Sequence, residues 1–75
     1  MVYRIHSEDY LITELDNALK KGKTVALVLD YIVLDGIENS TVMLVNNKFL
    51  EFKHKGEDEP YLIIQYDKIN GLKYD

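Results

Sequence analysis

The sequence predicts a mainly-β domain: one N-terminal α-helix followed by a five-strand antiparallel meander. Three observations carry that prediction. Apolar residues recur at helical spacing only between Leu11 and Leu19. From Lys23 onward the composition turns to β-branched and aromatic residues and the helical period disappears. Every connection between the later apolar runs is short enough to join antiparallel neighbours.

The helix is predicted over residues 8–21. Ser7 reads as its N-cap, with Glu8 and Asp9 in the first turn where the helix dipole favours carboxylates. Leu11, Leu15, Ala18 and Leu19 form the apolar stripe and Ile12 widens it. Asp16 stands four residues before Lys20 as a supporting ion pair, and Gly22 is placed to cap the C-terminus.

Strands are predicted over 24–34, 37–45, 48–54, 61–66 and 71–74. The first is apolar on both alternating faces apart from Asp30, as expected of a strand covered on both sides. Asp35-Gly36 is the strongest hairpin signal, because a type I′ turn needs positive φ at both central residues. Asp30-Tyr31 is the alternative turn and lacks that glycine. Asn46-Asn47 is a second two-residue turn, and Lys55 to Glu59 is a charged loop closed by Pro60. Asp67 to Gly71 is read as a tight turn. Five short strands with a helix at one end imply a small curved sheet or a partly open barrel.

Seventy-five residues make one domain, whose core is small for a chain folding alone. There is no cysteine, so neither disulfides nor a thiolate zinc site can supplement that core. Association with further copies is the remaining remedy, and a homo-oligomer is expected, with a monomer as the alternative. The N-terminus has no apolar leader, and the longest apolar run, Val25 to Leu34, is about half a membrane span. A cytoplasmic protein without membrane contact is expected.

Nine basic and thirteen acidic side chains give a net charge of −4, which argues against non-specific coating of nucleic acid. The charges are unevenly spread. Lys20, Lys21 and Lys23 follow the helix, and Lys48, Lys53, His54 and Lys55 surround the third strand. The acids gather in the helix and at Glu57-Asp58-Glu59.

No catalytic motif is legible. His6 and His54 share no element, and neither stands at metal-ligand spacing with another donor, so no metal and no cofactor are expected. There is no Gly-x-Ser-x-Gly and no phosphate-cradling glycine loop. Glu57-Asp58-Glu59 reads as a solvated charge run rather than an acid–base pair. The protein is not expected to be an enzyme.

The order of elements resembles the Sm-like fold, and within it the bacterial Hfq-type branch. Leu15-Asp16-Asn17-Ala18-Leu19-Lys20-Lys21 with Val25-Ala26-Leu27-Val28-Leu29 is similar to that family's helix end and first strand. Tyr61-Leu62-Ile63-Ile64-Gln65-Tyr66-Asp67-Lys68-Ile69 resembles its fourth strand, the following turn and the start of the fifth. Between Asp30 and Pro60 the likeness is in element order only.

The resemblance implies a small Sm-like barrel that assembles into a hexameric or heptameric ring. The fourth strand of one copy would pair with the fifth of the next, which removes exposed edges and enlarges the core. It also implies single-stranded RNA held by the turn after the fourth strand, helped by the loop between the second and third. That turn is Tyr66-Asp67-Lys68, where Hfq-type proteins carry Tyr-Lys-His, so Asp67 stands in a cation's place.

Candidate RNA-binding residues are Tyr66 and Lys68, for base stacking and phosphate contact, with Asn39, Ser40, Thr41 and Tyr31 as further candidates. Each has a plainer alternative. Tyr66 would be a packing tyrosine, Lys68 a solvated lysine, Asn39 to Thr41 an ordinary solvent face and Tyr31 a partly buried side chain. The competing function is an oligomeric protein-interaction module whose acidic surface docks on a protein partner without nucleic acid.

Overall fold

The computed structural model describes residues 2–4 and 8–74, with side chains from Tyr10 onward. Ser7, the expected N-cap, and His6 lie outside the described residues. The architecture is mainly β, with one helix near the N-terminus and two antiparallel sheets.

Helix α1 runs Glu8–Lys20 and buries the stripe of Leu11, Leu15, Ala18 and Leu19. Its outer side carries the Asp16–Lys20 ion pair at 2.9 Å. Both partners are exposed, so the pair adds little to stability. The helix ends in a Schellman motif. The Lys23 N–H donates to the Ala18 carbonyl at 3.0 Å and the Gly22 N–H to the Leu19 carbonyl at 3.1 Å, with Gly22 at φ +77°. No atom crowds the site of a Cβ there, so Gly22→Ala meets only the backbone cost of the left-handed region. A loss of about 1 kcal/mol in urea unfolding is expected.

Seven strands are described. Strand β1, Val2–Arg4, precedes the helix and was not anticipated. The others are β2 (Val25–Leu29), β3 (Val33–Ile37), β4 (Ser40–Val45), β5 (Phe49–His54), β6 (Leu62–Gln65) and β7 (Ile69–Tyr74). One sheet has the order β1-β7-β2-β3 and the other β4-β5-β6. The hydrogen bonding therefore runs as two sheets, not around a closed cylinder.

The expected strand over 24–34 is in fact two strands, and the turn between them is at Asp30 to Ile32. The Leu29 N–H donates to the Ile32 carbonyl at 2.9 Å, and the Asp30 carboxylate accepts from the Asn70 amide at 2.9 Å. Asp35-Gly36 is not a hairpin turn but a bulge inside β3. Val25 pairs with Ile37 and Leu27 with Leu34, so three steps on β3 oppose two on β2. Gly36 takes φ +78° there and its N–H donates to Asp35 Oδ1 at 2.8 Å. The positive φ that marked a turn is used to absorb an extra residue.

The expected strand over 37–45 is also interrupted. Ile37 ends one sheet and Ser40 begins the other, with Asn39 at φ +50° between them. The chain turns this corner in two residues, which places the inner faces of the two sheets around one core. Asn46 and Asn47 both adopt φ +55° at the β4–β5 connection, closed by the Lys48 N–H on the Val45 carbonyl at 3.0 Å. The run expected as a turn over 67–71 is shorter. A 3-10 turn, Tyr66–Lys68, takes Tyr66 out of the preceding strand, and β7 begins at Ile69.

Leu27 and Leu72 from one sheet meet Leu50 and Phe52 from the other, with Leu15 and Leu19 of α1 packed over them. Ser40 is the buried polar residue at the corner, 2% exposed. Its hydroxyl donates to the Glu38 carbonyl and shares a second hydrogen bond with Tyr61 Oη, both at 2.7 Å. Ser40→Ala would leave both partners short of a bond in a half-buried site. A loss of about 1–2 kcal/mol is expected in chemical denaturation.

Candidate nucleic-acid interface

The 3-10 turn Tyr66–Lys68 brings two hairpin tips to one end of the molecule. On one side the Tyr66 N–H donates to the Lys48 carbonyl at 2.7 Å, tying the turn to the Asn46–Lys48 tip. On the other, β7 begins against the end of β2, with Ile69 opposite Leu29 and the Asn70 amide on Asp30. The Asp30–Ile32 tip is thereby fixed beside the start of β7. These two bonds gather Tyr31, Lys48 and the Asp67-Lys68 pair from three separate segments of the chain.

The candidate residues divide between this end and the opposite one. Tyr31 is 99% exposed at the β2–β3 tip, not partly buried. Lys68 is exposed on the 3-10 turn. Tyr66 is 7% exposed and belongs to the core cluster, so its ring does not offer a free face for stacking in the single chain. Asn39, Ser40 and Thr41 sit at the other end of β4. Five residue steps separate Ser40 from Val45, or about 17 Å at the usual strand rise.

That far end has a structural account of its own. Ser40 pairs in register with His54, and the His54 ring stacks on Tyr61 with centroids 3.9 Å apart and planes 6° from parallel. Tyr61 in turn bonds Ser40. The cluster pins the charged 55–60 loop to the corner, and it accounts for Ser40 by burial alone. Asn39 and Thr41 are exposed beside it.

Residues that sequence reasoning did not place at the site are Asn70 and Asp30, whose bond spans forty positions. No local pattern announces such a contact. Lys48 was visible as part of a basic cluster, and Asn46-Asn47 as a turn, but their place beside Tyr66 required the sheet register.

The charge at this end is mixed: Lys48 and Lys68 against Asp30 and Asp67. Phe49, more than one-third exposed, pairs with Gln65 at its margin and adds apolar surface. The arrangement suits contacts to bases and a few phosphates more than a dense phosphate track. Among the described residues no group of three or more His, Asp or Glu side chains is placed to hold a metal ion. No described helix is long and apolar enough to cross a membrane.

An open groove of about 430 Å³ lies between α1 and β4 and is lined by Ile12, Thr13, Asp16, Val42, Met43 and Leu44. Its single carboxylate is engaged by Lys20. No family model, curated protein or solved structure matches the chain.

Proposed function

We propose that this chain is a ring-forming Sm-like protein that binds single-stranded RNA at the end marked by the 3-10 turn. One observation carries the reading. The two segments that the Sm-like resemblance assigns to RNA, the turn at Tyr66 to Lys68 and the loop at Asn46-Asn47, are joined by the Tyr66–Lys48 hydrogen bond. The helix followed by a curled meander that leaves the β6 edge open supports the same family. Tyr31, rather than Tyr66, is the stacking side chain, and Lys68 and Lys48 meet phosphate.

Solution mass tests the ring. A hexamer or heptamer is expected, and a mass that stays at 8.8 kDa at every concentration removes the reading. Titration with short U-rich and A-rich RNA at two salt concentrations tests the ligand, since phosphate-driven affinity is strongest at low salt. Absence of binding there defeats it. Tyr31→Ala should weaken binding by about 1–3 kcal/mol, the range for one base–aromatic stack. Lys68→Ala should lower the salt slope by about one unit without altering base preference.

The protein-docking reading has its own support in the unshielded β6 edge and in half-exposed Met43 and Ile63 on the outer face of the β4-β5-β6 sheet. The exposed Glu57-Asp58-Glu59 loop would face a basic partner. It becomes the preferred reading if a ring forms and RNA does not bind at low salt.

A further inference from the structure

The outer edge of β7 is already occupied within the chain. Strand β2 pairs along one side of β7, and β1 pairs along the other through Val2–Lys73, Tyr3–Leu72 and Arg4–Gly71. A strand has two edges, so nothing else can pair with β7 over these residues while β1 is in place. At the other end of the structure β6 has one neighbour, β5.

The phase of β6 follows from the Tyr66 bond to Lys48. Alternation places Ile64 and Leu62 toward β5, and turns the N–H and C=O groups of Ile63 and Gln65 to the open edge. Apart from its shortness this edge lacks the usual protection. Its sequence Leu62-Ile63-Ile64-Gln65 holds no charge, proline or glycine, and Ile63 is 55% exposed.

Charge identifies the occupant that β6 fits. If β6 of a second copy ran antiparallel to β7, its Leu62 end would lie beside Lys73 and Tyr74. The acidic Glu57-Asp58-Glu59 loop that precedes β6 would then face Lys73 and Lys23, whose ammonium sits 5.1 Å from the Tyr74 ring centroid. A parallel arrangement loses this match.

We infer that β1 is a built-in competitor of self-assembly: it caps the β7 edge that β6 of a neighbouring copy must occupy, and it leaves when the copies join. The inference rests on the ring reading and specifies how that ring is controlled. β1 offers three residues to an edge six residues long, and β6 offers four together with the charge match. Assembly is therefore concentration-dependent and sensitive to the N-terminal segment, because the cap is intramolecular and the neighbour is not.

The test uses the full chain carrying Val2→Cys and Lys73→Cys. These positions are cross-strand partners at a separation a disulfide spans, and the natural chain has no cysteine to compete. Oxidised protein is expected to remain monomeric at concentrations where the reduced form assembles, by sedimentation and light scattering. The reduced form keeps Lys23 and the open β6 edge but has lost the Lys73 charge, so it is expected to assemble at a higher concentration than wild type. Tyr3→Pro, which weakens β1 without a cross-link, should move the assembly midpoint to about tenfold lower concentration. Equal assembly of oxidised and reduced protein overturns the competitor role and leaves the ring standing. If wild type, reduced double variant and Tyr3→Pro all stay monomeric, the ring reading and this inference fall together.

Discussion

Phe52→Ala is expected to remove most of the stability of the fold. Phe52 is the largest fully buried side chain, 0% exposed, on the inner face of β5 between Val42 and Leu62. Truncating a buried phenylalanine costs about 3–5 kcal/mol, part transfer free energy and part cavity. A chain of this length holds about 4–11 kcal/mol in total. Urea unfolding of Phe52→Ala should therefore start from little or no folded baseline. Phe49→Ala is the matched control. It lies three residues earlier on the same strand, on the outer face and partly exposed, and should cost less than about 1 kcal/mol in the single chain. Equal midpoints for the two variants would show that the inward and outward faces of β5 are wrongly assigned.

The helix was readable because every signal for it is local. Its stripe, its ion pair and its glycine cap lie within sixteen residues, and each is used in the structure as its chemistry suggests. The strand breaks were not readable in the same way. A glycine in the left-handed region serves a type I′ turn and a bulge equally, and Asp35-Gly36 turned out to be the second. The true turn at Asp30 is held by Asn70, a partner supplied by the last strand. Neither residue alone signals a turn stronger than Asp-Gly. Strand β1 has no local signature at all, since three residues show no period and its pairing is set by the edge of β7.

The site shows the same division. Tyr31 and Lys68 could be named from residue type, and the structure leaves both exposed at one end. Tyr66 has the right type in the right segment, yet the 3-10 turn rolls its ring into the core and uses its backbone N–H to bind Lys48. Ser40 is likewise consumed by the corner between the sheets. Residue type proposes candidates, but burial decides which of them a ligand can reach, and burial here depends on partners outside the local sequence, such as Lys48 for Tyr66 and Tyr61 for Ser40.

Ile63→Lys separates folding from assembly more sharply than any other single change. The side chain is half-exposed on the outer face of β6, so the isolated chain should lose less than about 1 kcal/mol, within the spread of strand propensities. A lysine on an unprotected edge, in contrast, carries a charge into the position a neighbouring strand must approach, and natural edges are blocked by this residue for that reason. Solution mass should fall to that of the single chain at concentrations where wild type assembles. RNA affinity should fall with it by about 100-fold or more, because a ring presents its contacts at high effective concentration and a single copy presents one. Lys68→Ala supplies the reverse pattern, with the ring intact and binding weakened through a lost phosphate contact alone. If Ile63→Lys assembles as wild type does, β6 is not the joining edge, and the competition between β1 and β6 loses its basis. If it becomes monomeric while RNA affinity is unchanged, the contact surface is complete within one chain and the ring serves another purpose.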